Sequence, residues 1–234
     1  MHNKIDVVIM AGGKGERLMP LTKNTPKPLL KIGNKPIIEY NTDLLASYGI
    51  KHINISLNYL SEQIVAYFKD NNKHQLTFNF IKESKTLGTI GALKLIKKFY
   101  TDYILVMNAD LLTNVNFEAI YNTFILKQAD ALIATIPYTV NIPHGIVETN
   151  AGYVTDLKEK PTYTYYSNAG IYIFKKAYLD FIPEDTFFDA TDLVETLLNK
   201  NKNIINYPIL TYWLDIGKHD DFEKAQDDIK ALKI

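Results

Sequence analysis

Short apolar runs alternate with longer amphipathic stretches through the first 140 residues. Asp6 to Met10 (DVVIM) is a short apolar run ending in a glycine-rich turn, the pattern of a buried parallel strand. Pro36 opens a helical stretch that places Ile37, Leu44, Leu45 and Tyr48 on one side, with Gly49 as its stop. His52 to Leu57 alternates like a strand, and Ser61 is positioned to cap the helix that follows through Phe68. Leu76 to Ile81 predicts a third strand, Thr89 to Tyr100 a third helix, and Tyr103 to Met107 (YILVM) a fourth strand. Asn116 caps a helix running to about Gln128, and Ala131 to Tyr138 closes the series.

Strands separated by helices of this length imply right-handed crossovers and an open, mostly parallel sheet with helices on both faces. After about residue 140 the pattern changes to short strands and turns. Gly145 to Thr149, a turn at Asn150-Ala151-Gly152, Tyr153 to Glu159 and Tyr165 to Phe174 read as an antiparallel extension, or lid, over the sheet edge. Helices are predicted near Thr191 to Asn199 and from Asp220 onward. Residues 1–234 therefore read as a single α/β domain whose first part (about 1–140) and second part (about 141–234) differ in style. The tyrosines and phenylalanines between 153 and 188 are expected to pack in the core and lid.

Charge narrows the function classes. Twenty-six basic residues balance 26 acidic ones, so the chain has no net field with which to gather nucleic acid. No apolar run reaches the roughly 18 residues of a membrane span, and the N-terminus lacks a signal peptide's layout. There is no cysteine, which removes thiolate metal sites and cysteine nucleophiles and fits a cytoplasmic protein. The five histidines are scattered without metal-ligand spacing. Of the 26 basic residues, Arg17 is the one arginine and all others are lysine. In such a background an arginine marks a place where lysine does not suffice.

Arg17 lies in the most informative segment, Met10-Ala11-Gly12-Gly13-Lys14-Gly15-Glu16-Arg17-Leu18. A parallel strand running into clustered glycines puts bare backbone amides at the carboxyl edge of the sheet, where α/β proteins bind ligands. Phosphate oxygens approach such amides without interference from Cβ atoms. The segment lacks the third glycine of a dinucleotide fingerprint and the Gly-Lys-Ser/Thr ending of a Walker loop. A guanidinium fork on an amide-lined loop suits a polyphosphate. Ten residues on, Thr25-Pro26-Lys27-Pro28-Leu29-Leu30 braces Lys27 between two prolines and keeps it out of any helix.

A-G-G-x-G-x-R-L followed by T-P-K-P-L-L resembles the opening signature of the sugar-1-phosphate nucleotidyltransferases, and the resemblance continues along essentially the whole chain. It implies a Rossmann-like α/β fold with a sugar-binding extension, and a reaction in which an NTP and a sugar 1-phosphate give an NDP-sugar and pyrophosphate. By resemblance, Ala11, Gly12, Gly13, Gly15 and Arg17 hold the triphosphate and Lys27 sits at the reacting phosphates. Leu87-Gly88-Thr89-Ile90-Gly91-Ala92 is similar to the family's L-G-T-A-G-A element, so Gly88 and Thr89 would contact base and ribose, with Glu83 at the base edge. Asn108-Ala109-Asp110 resembles N-G-D and Trp213-Leu214-Asp215-Ile216-Gly217 resembles W-x-D-I-G. Asp110 and Asp215 would then be the ligands of Mg²⁺. On the sugar side the resemblance assigns Gly145 (in His144-Gly145-Ile146-Val147-Glu148), Glu159 and Lys160 (in Glu159-Lys160-Pro161), and Asn168 (in Asn168-Ala169-Gly170).

The residues agree with this physically. Asp110 follows a run of apolar residues, so its carboxylate emerges at the sheet's carboxyl edge, and two hard carboxylates are what a hydrated magnesium ion requires. The sugar phosphate is already an anionic nucleophile, so alignment and charge neutralisation suffice without a general base. The chain departs from the family pattern at Glu16, whose charge Lys14 would neutralise, at Met19, at Ala109, and at His144, read as a wall of the sugar pocket. Among relatives the chain most resembles a GMP-transferring subgroup acting on amino-sugar or related hexose 1-phosphates. A carboxylate at Glu83 could accept from guanine N1–H and N2–H₂. The alternatives are a uridylyl- or thymidylyltransferase, or a non-catalytic nucleotide-sugar sensor on the same fold. That subgroup often carries regulatory CBS domains ahead of the catalytic part, so the chain is expected to be an excised catalytic domain with Met1-His2 added at the junction. A homodimer is compatible with all of these readings.

Overall fold

The computed structural model describes Met1 and residues 4–232; the expectation for His2 lies outside them. The elements in the first half are β1 (Asp6–Ala11), β2 (Lys31–Ile32), β3 (Lys35–Pro36), α1 (Ile37–Ser47), β4 (His52–Leu57), α2 (Ser61–Asp70), β5 (Thr77–Lys82), β6 (Tyr103–Asn108), β7 (Leu111–Thr113) and α3 (Phe117–Leu126). The second half adds β8 (Ala131–Asn141), β9 (Ile146–Asn150), β10 (Tyr153–Lys158), β11 (Thr162–Lys175), α4 (Ala190–Asn199), β12 (Ile204–Pro208), β13 (Trp213–Asp215) and α5 (His219–Ala231).

Seven strands form the central sheet in the order β12-β8-β11-β6-β1-β4-β5. All run parallel except β11, which is antiparallel to both neighbours. The expected open, mostly parallel sheet with helices on both faces is present. One face is buried against α1, α2 and α3, through Ile38, Leu45, Ile64, Phe68, Phe117 and Phe124. The other is covered by α4, through Leu193 and Leu197, and by the segment around Leu93. Side chains of β1 alternate between the two layers, with Val7 and Ile9 in the first and Val8 in the second. Each is fully buried, a stabilisation of about 1.5–3 kcal/mol apiece relative to exposure.

Three expectations need correction. The helix expected over 89–100 is only a 3-10 turn at Gly91–Leu95. Its first amides are taken by another segment: Ile90 N and Gly91 N both donate to Phe188 O at 3.1 Å, so the chain is pinned sideways where a helix would propagate. Ser61 is the first residue of α2 and not its cap; the cap position is Leu60, in the left-handed region (φ 49°). Asn116 does cap α3, accepting from Ala119 N at 2.9 Å. The aromatic residues between 153 and 188 divide into two groups. Tyr172 and Phe174 are buried in the sheet, whereas Tyr153, Tyr165, Tyr166 and Phe187 are exposed. The boundary is a register irregularity in β11 between Asn168 and Tyr172, before which β11 pairs only with the outer part of β8. There the two strands form a ribbon with open faces, flanked by the β9–β10 hairpin, whose turn places Ala151 and Gly152 at positive φ.

Asp130 ties the second half to the sheet. It accepts from Lys175 Nζ (2.7 Å), Tyr178 OH (2.7 Å) and Asn203 N (2.9 Å) at the start of β8, the end of β11 and the approach to β12. Burial pushes this carboxyl up, but the three donors outweigh it and hold the pKa at about 2. Among the described residues, no helix is long and apolar enough to cross a membrane.

Candidate active site

The loop after β1 folds back on the segment that carries Lys27. Gly15 has φ +65°, and a Cβ there would lie 3.0 Å from Thr22 Cγ2 and 3.1 Å from Lys27 Cβ, so both the turn and the close approach require glycine. Thr22 Oγ1 closes the loop by donating to Gly15 O at 2.9 Å. Gly13 faces open space. Arg17 is exposed, with its guanidinium against Gly217, where a Cβ would be 3.4 Å from Nη2. Among the described residues Arg17 forms no ion pair, and neither do Lys14 and Glu16, which do not neutralise each other.

Lys27, Asp110 and Asp215 converge from three distant segments. The Lys27 side chain is buried and donates to Asp110 Oδ2, with Asp215 Oδ1 3.9 Å from its Nζ. Asp110 is fixed at the end of β6 by neighbouring backbone. Ala109 N donates to Met10 O (3.0 Å), Asn41 Nδ2 donates to Ala109 O (3.2 Å) and Ile216 N donates to Asp110 O (3.0 Å). Asp215 arrives through the β13–β7 pairing, opposite Leu111. Asp221 holds the loop beyond it, accepting from Gly217 N and Lys218 N. Oδ1 of Asp110 and Oδ1 of Asp215 are both buried without a hydrogen-bond partner. Burial and the neighbouring Asp110 push the Asp215 carboxyl up to about 6, against the opposing pull of Lys27 and Arg17. Two buried, unpartnered carboxylate oxygens beside each other are costly unless a cation meets them.

Two contiguous cavities open on this cluster. One, of about 530 Å³, is lined by residues 12–17 with Lys27, Thr86 and Asp110. The other, of about 270 Å³, is lined by Met10, Gly12, Gly13, Glu83, Thr86, Gly88, Thr89, Asn108, Asp110 and Asp189. The sequence-predicted Gly12, Gly13, Gly15, Arg17, Lys27, Glu83, Gly88, Thr89 and Asp110 thus all line one cleft, and Asp215 borders it through Lys27. Glu83, however, is buried, its Oε1 accepting from Ser56 Oγ and its Oε2 from Leu87 N at 3.0 Å. Gly12 lies over it so closely that a Cβ would sit 2.9 Å from Oε1.

The sugar-side residues are arranged differently. Glu159 Oε2 lies against Gly145, 3.1 Å from where a Cβ would be, and Lys160 has φ 44°. Gly145, Glu159, Lys160 and also His144 are exposed and form no hydrogen bond or ion pair with the Lys27 cluster. Asn168 is better placed. Its Oδ1 accepts from Gly170 N (3.0 Å), its Nδ2 donates to Tyr172 OH (2.6 Å), and Trp213 Nε1 donates to Ala169 O (2.9 Å) next to it. Sequence reasoning missed Asn41, Thr86 and Asp189. Asp189 lies in the Thr186-Phe187-Phe188-Asp189 stretch, whose Phe-Phe-Asp ending beside a predicted helix start was the signal.

A glycine loop, a lysine and a carboxylate pair thus meet at the carboxyl edge of a parallel sheet. The chain belongs to the Nucleotidyl transferase family, whose sequence profile matches residues 6–231. It is similar to the D-glycero-alpha-D-manno-heptose 1-phosphate guanylyltransferase of Aneurinibacillus thermoaerophilus, with 30% identity over 97% of this chain and 99% of that protein. It is equally similar, at 30% identity over 93% of the chain, to a UTP–glucose-1-phosphate uridylyltransferase of Synechocystis, of which it spans only 61%. Among solved structures, HddC from Yersinia pseudotuberculosis in complex with GMP-PN matches with a TM-score of 0.73 and 25% identity over 96% of this chain and 99% of that one. These relatives are enzymes, and this is an enzyme family.

Proposed function

We propose that the protein condenses GTP with a sugar 1-phosphate, a hexose, amino-hexose or heptose, to give a GDP-sugar and pyrophosphate. The observation that carries this reading is the cluster of Lys27, Asp110 and Asp215 at the mouth of the glycine loop, with two buried carboxylate oxygens left unpartnered. Hard oxygen donors of this kind fit a magnesium ion, which when bound supplies positive charge to the phosphates. Gly12, Gly13 and Gly15 offer backbone amides to the triphosphate, and Arg17, in no ion pair among the described residues, grips the β,γ-phosphates as they leave. Lys27, held in one place by Asp110, neutralises charge at the α-phosphate. Lys160 does the same for the attacking sugar phosphate. A phosphate oxygen of the sugar attacks the α-phosphorus, the bond to the β-phosphate oxygen breaks, and pyrophosphate departs without any side chain accepting a proton.

Support for guanine comes from the heptose guanylyltransferase, which this chain matches end to end, and from the GMP-PN complex of HddC. The Synechocystis relative favours uridylyl transfer as the second reading. Pyrophosphate release from GTP, UTP, dTTP and CTP against a panel of sugar 1-phosphates decides between them. Release that depends on both substrates and on magnesium is expected, greatest with GTP; no release with any pair sinks the enzymatic reading.

A further inference from the structure

Guanine offers two adjacent donors, N1–H and N2–H₂, and its natural counterpart is a carboxylate oxygen free to accept them. The smaller cavity contains three carboxylates: Asp110, Glu83 and Asp189. Asp110 is paired with Lys27 through Oδ2, and its unpartnered Oδ1 belongs with that of Asp215 to the carboxylate pair described above. Glu83 is 6% exposed, both of its oxygens are already accepting bonds, and Gly12 seals it in. Asp189 is different. Its Oδ1 accepts from Thr89 N at 2.8 Å and Thr89 Oγ1 at 3.1 Å, which locks the side chain, while Oδ2 has no partner among the described residues. The backbone is shaped to bring it there. Gly88 has φ +75°, and a Cβ on it would lie 2.7 Å from Phe188 O and 2.9 Å from Asp189 Oδ1; a Cβ on Gly91 would lie 2.7 Å from Thr186 O. The two glycines of the 87–92 element therefore let residues 186–189 pack against it, about 100 positions away in sequence.

We infer that Asp189, and not Glu83, is the side chain that selects guanine, its Oδ2 accepting from the Watson–Crick edge. This rests on the guanylyl reading above. Uracil and thymine set two carbonyl oxygens around a single N–H, so the same oxygen opposes them. Asp189→Asn is the decisive variant. Asn is isosteric with Asp, and its amide oxygen can keep the Thr89 bonds while an NH₂ donor replaces Oδ2. Its kcat/KM for GTP should fall about tenfold to a hundredfold, mainly through KM. Xanthosine triphosphate, with a carbonyl where guanine has its amine, should become the better substrate. Asp189→Ser, which removes the carboxylate, should show the GTP loss without the xanthosine gain, and thermal melting of both variants checks the fold. A parent that prefers GTP with an Asp189→Asn enzyme within threefold of it, and no gain with xanthosine triphosphate, overturns this inference alone. A parent that prefers UTP or dTTP overturns the guanylyl reading and this inference together.

Discussion

On the proposed reading the cleft has a phosphate end and a sugar-side ribbon, and the two are built to opposite specifications. At the phosphate end, Lys27, Asp110 and Asp215 come from segments about 80 and 100 residues apart, and hydrogen bonds of the 109–110 backbone with Met10 O, Asn41 Nδ2 and Ile216 N leave Asp110 little freedom. On the ribbon, every residue of β10 is exposed, and Glu159 and Lys160 follow it into solvent. The difference teaches where rigidity matters. Charge developing at phosphorus moves little from one sugar to another, so the groups that meet it gain from being fixed before binding. Sugar hydroxyls differ among substrates, and a solvent-exposed ribbon can adapt to them at the moment of binding.

That contrast can be broken at four places. Asp110→Asn or Asp215→Asn should reduce turnover by about a thousandfold, the scale expected when a preorganised charge is removed, while leaving the melting temperature near that of the parent. Near-normal turnover in either variant at ordinary magnesium removes that residue from the proposed metal site. Arg17→Lys keeps the charge but loses one of two charge-assisted hydrogen bonds, about 1.5–3 kcal/mol, and should slow pyrophosphate release about tenfold to a hundredfold. A variant within threefold of the parent in kcat and kcat/KM makes the lone arginine an accident of composition. Lys160→Met should raise KM for the sugar 1-phosphate about tenfold while leaving KM for the NTP unchanged. Equal effects on both would show that the ribbon is not separable from the phosphate end.

The smallest expected effect concerns stability. Asp130 has a folded-state pKa of about 2 against an ordinary value of 3.8. The folded state therefore binds its proton more weakly. This group's stabilisation is fully present above pH ~4 and is lost as pH falls through about 2. Asp130→Asn should lower unfolding free energy by about 2 kcal/mol at pH 7 and flatten the acid limb of the stability curve, with turnover untouched. An unchanged denaturation midpoint would show that the tie between β8, β11 and β12 is dispensable.

The phosphate end was the more legible region in the sequence, for a local reason. Gly15 and Lys27 lie in short stretches whose glycine and proline spacing dictates the backbone, and Asp110 stands two residues past the end of an apolar strand. Asp215 needed the resemblance, because β13 is three residues long and exists only by pairing with β7. The helix expected over 89–100 failed because its amides bond to Phe188, a partner that periodicity within one segment cannot reveal. Asp189 was overlooked for the same reason. A helix-start aspartate looks alike in sequence whether its second oxygen faces water or a ligand.

Trp213 has a consequence for how the molecule can be observed. It is the only tryptophan in the chain, it stands two residues before Asp215, and its indole donates to Ala169 O in the turn that holds Asn168. One fluorophore is thus wired to both halves of the cleft. If the turn takes the sugar phosphate as proposed, its emission should respond on binding, so the order in which the two substrates arrive can be followed on unlabelled protein, in real time, with no second tryptophan to obscure the signal.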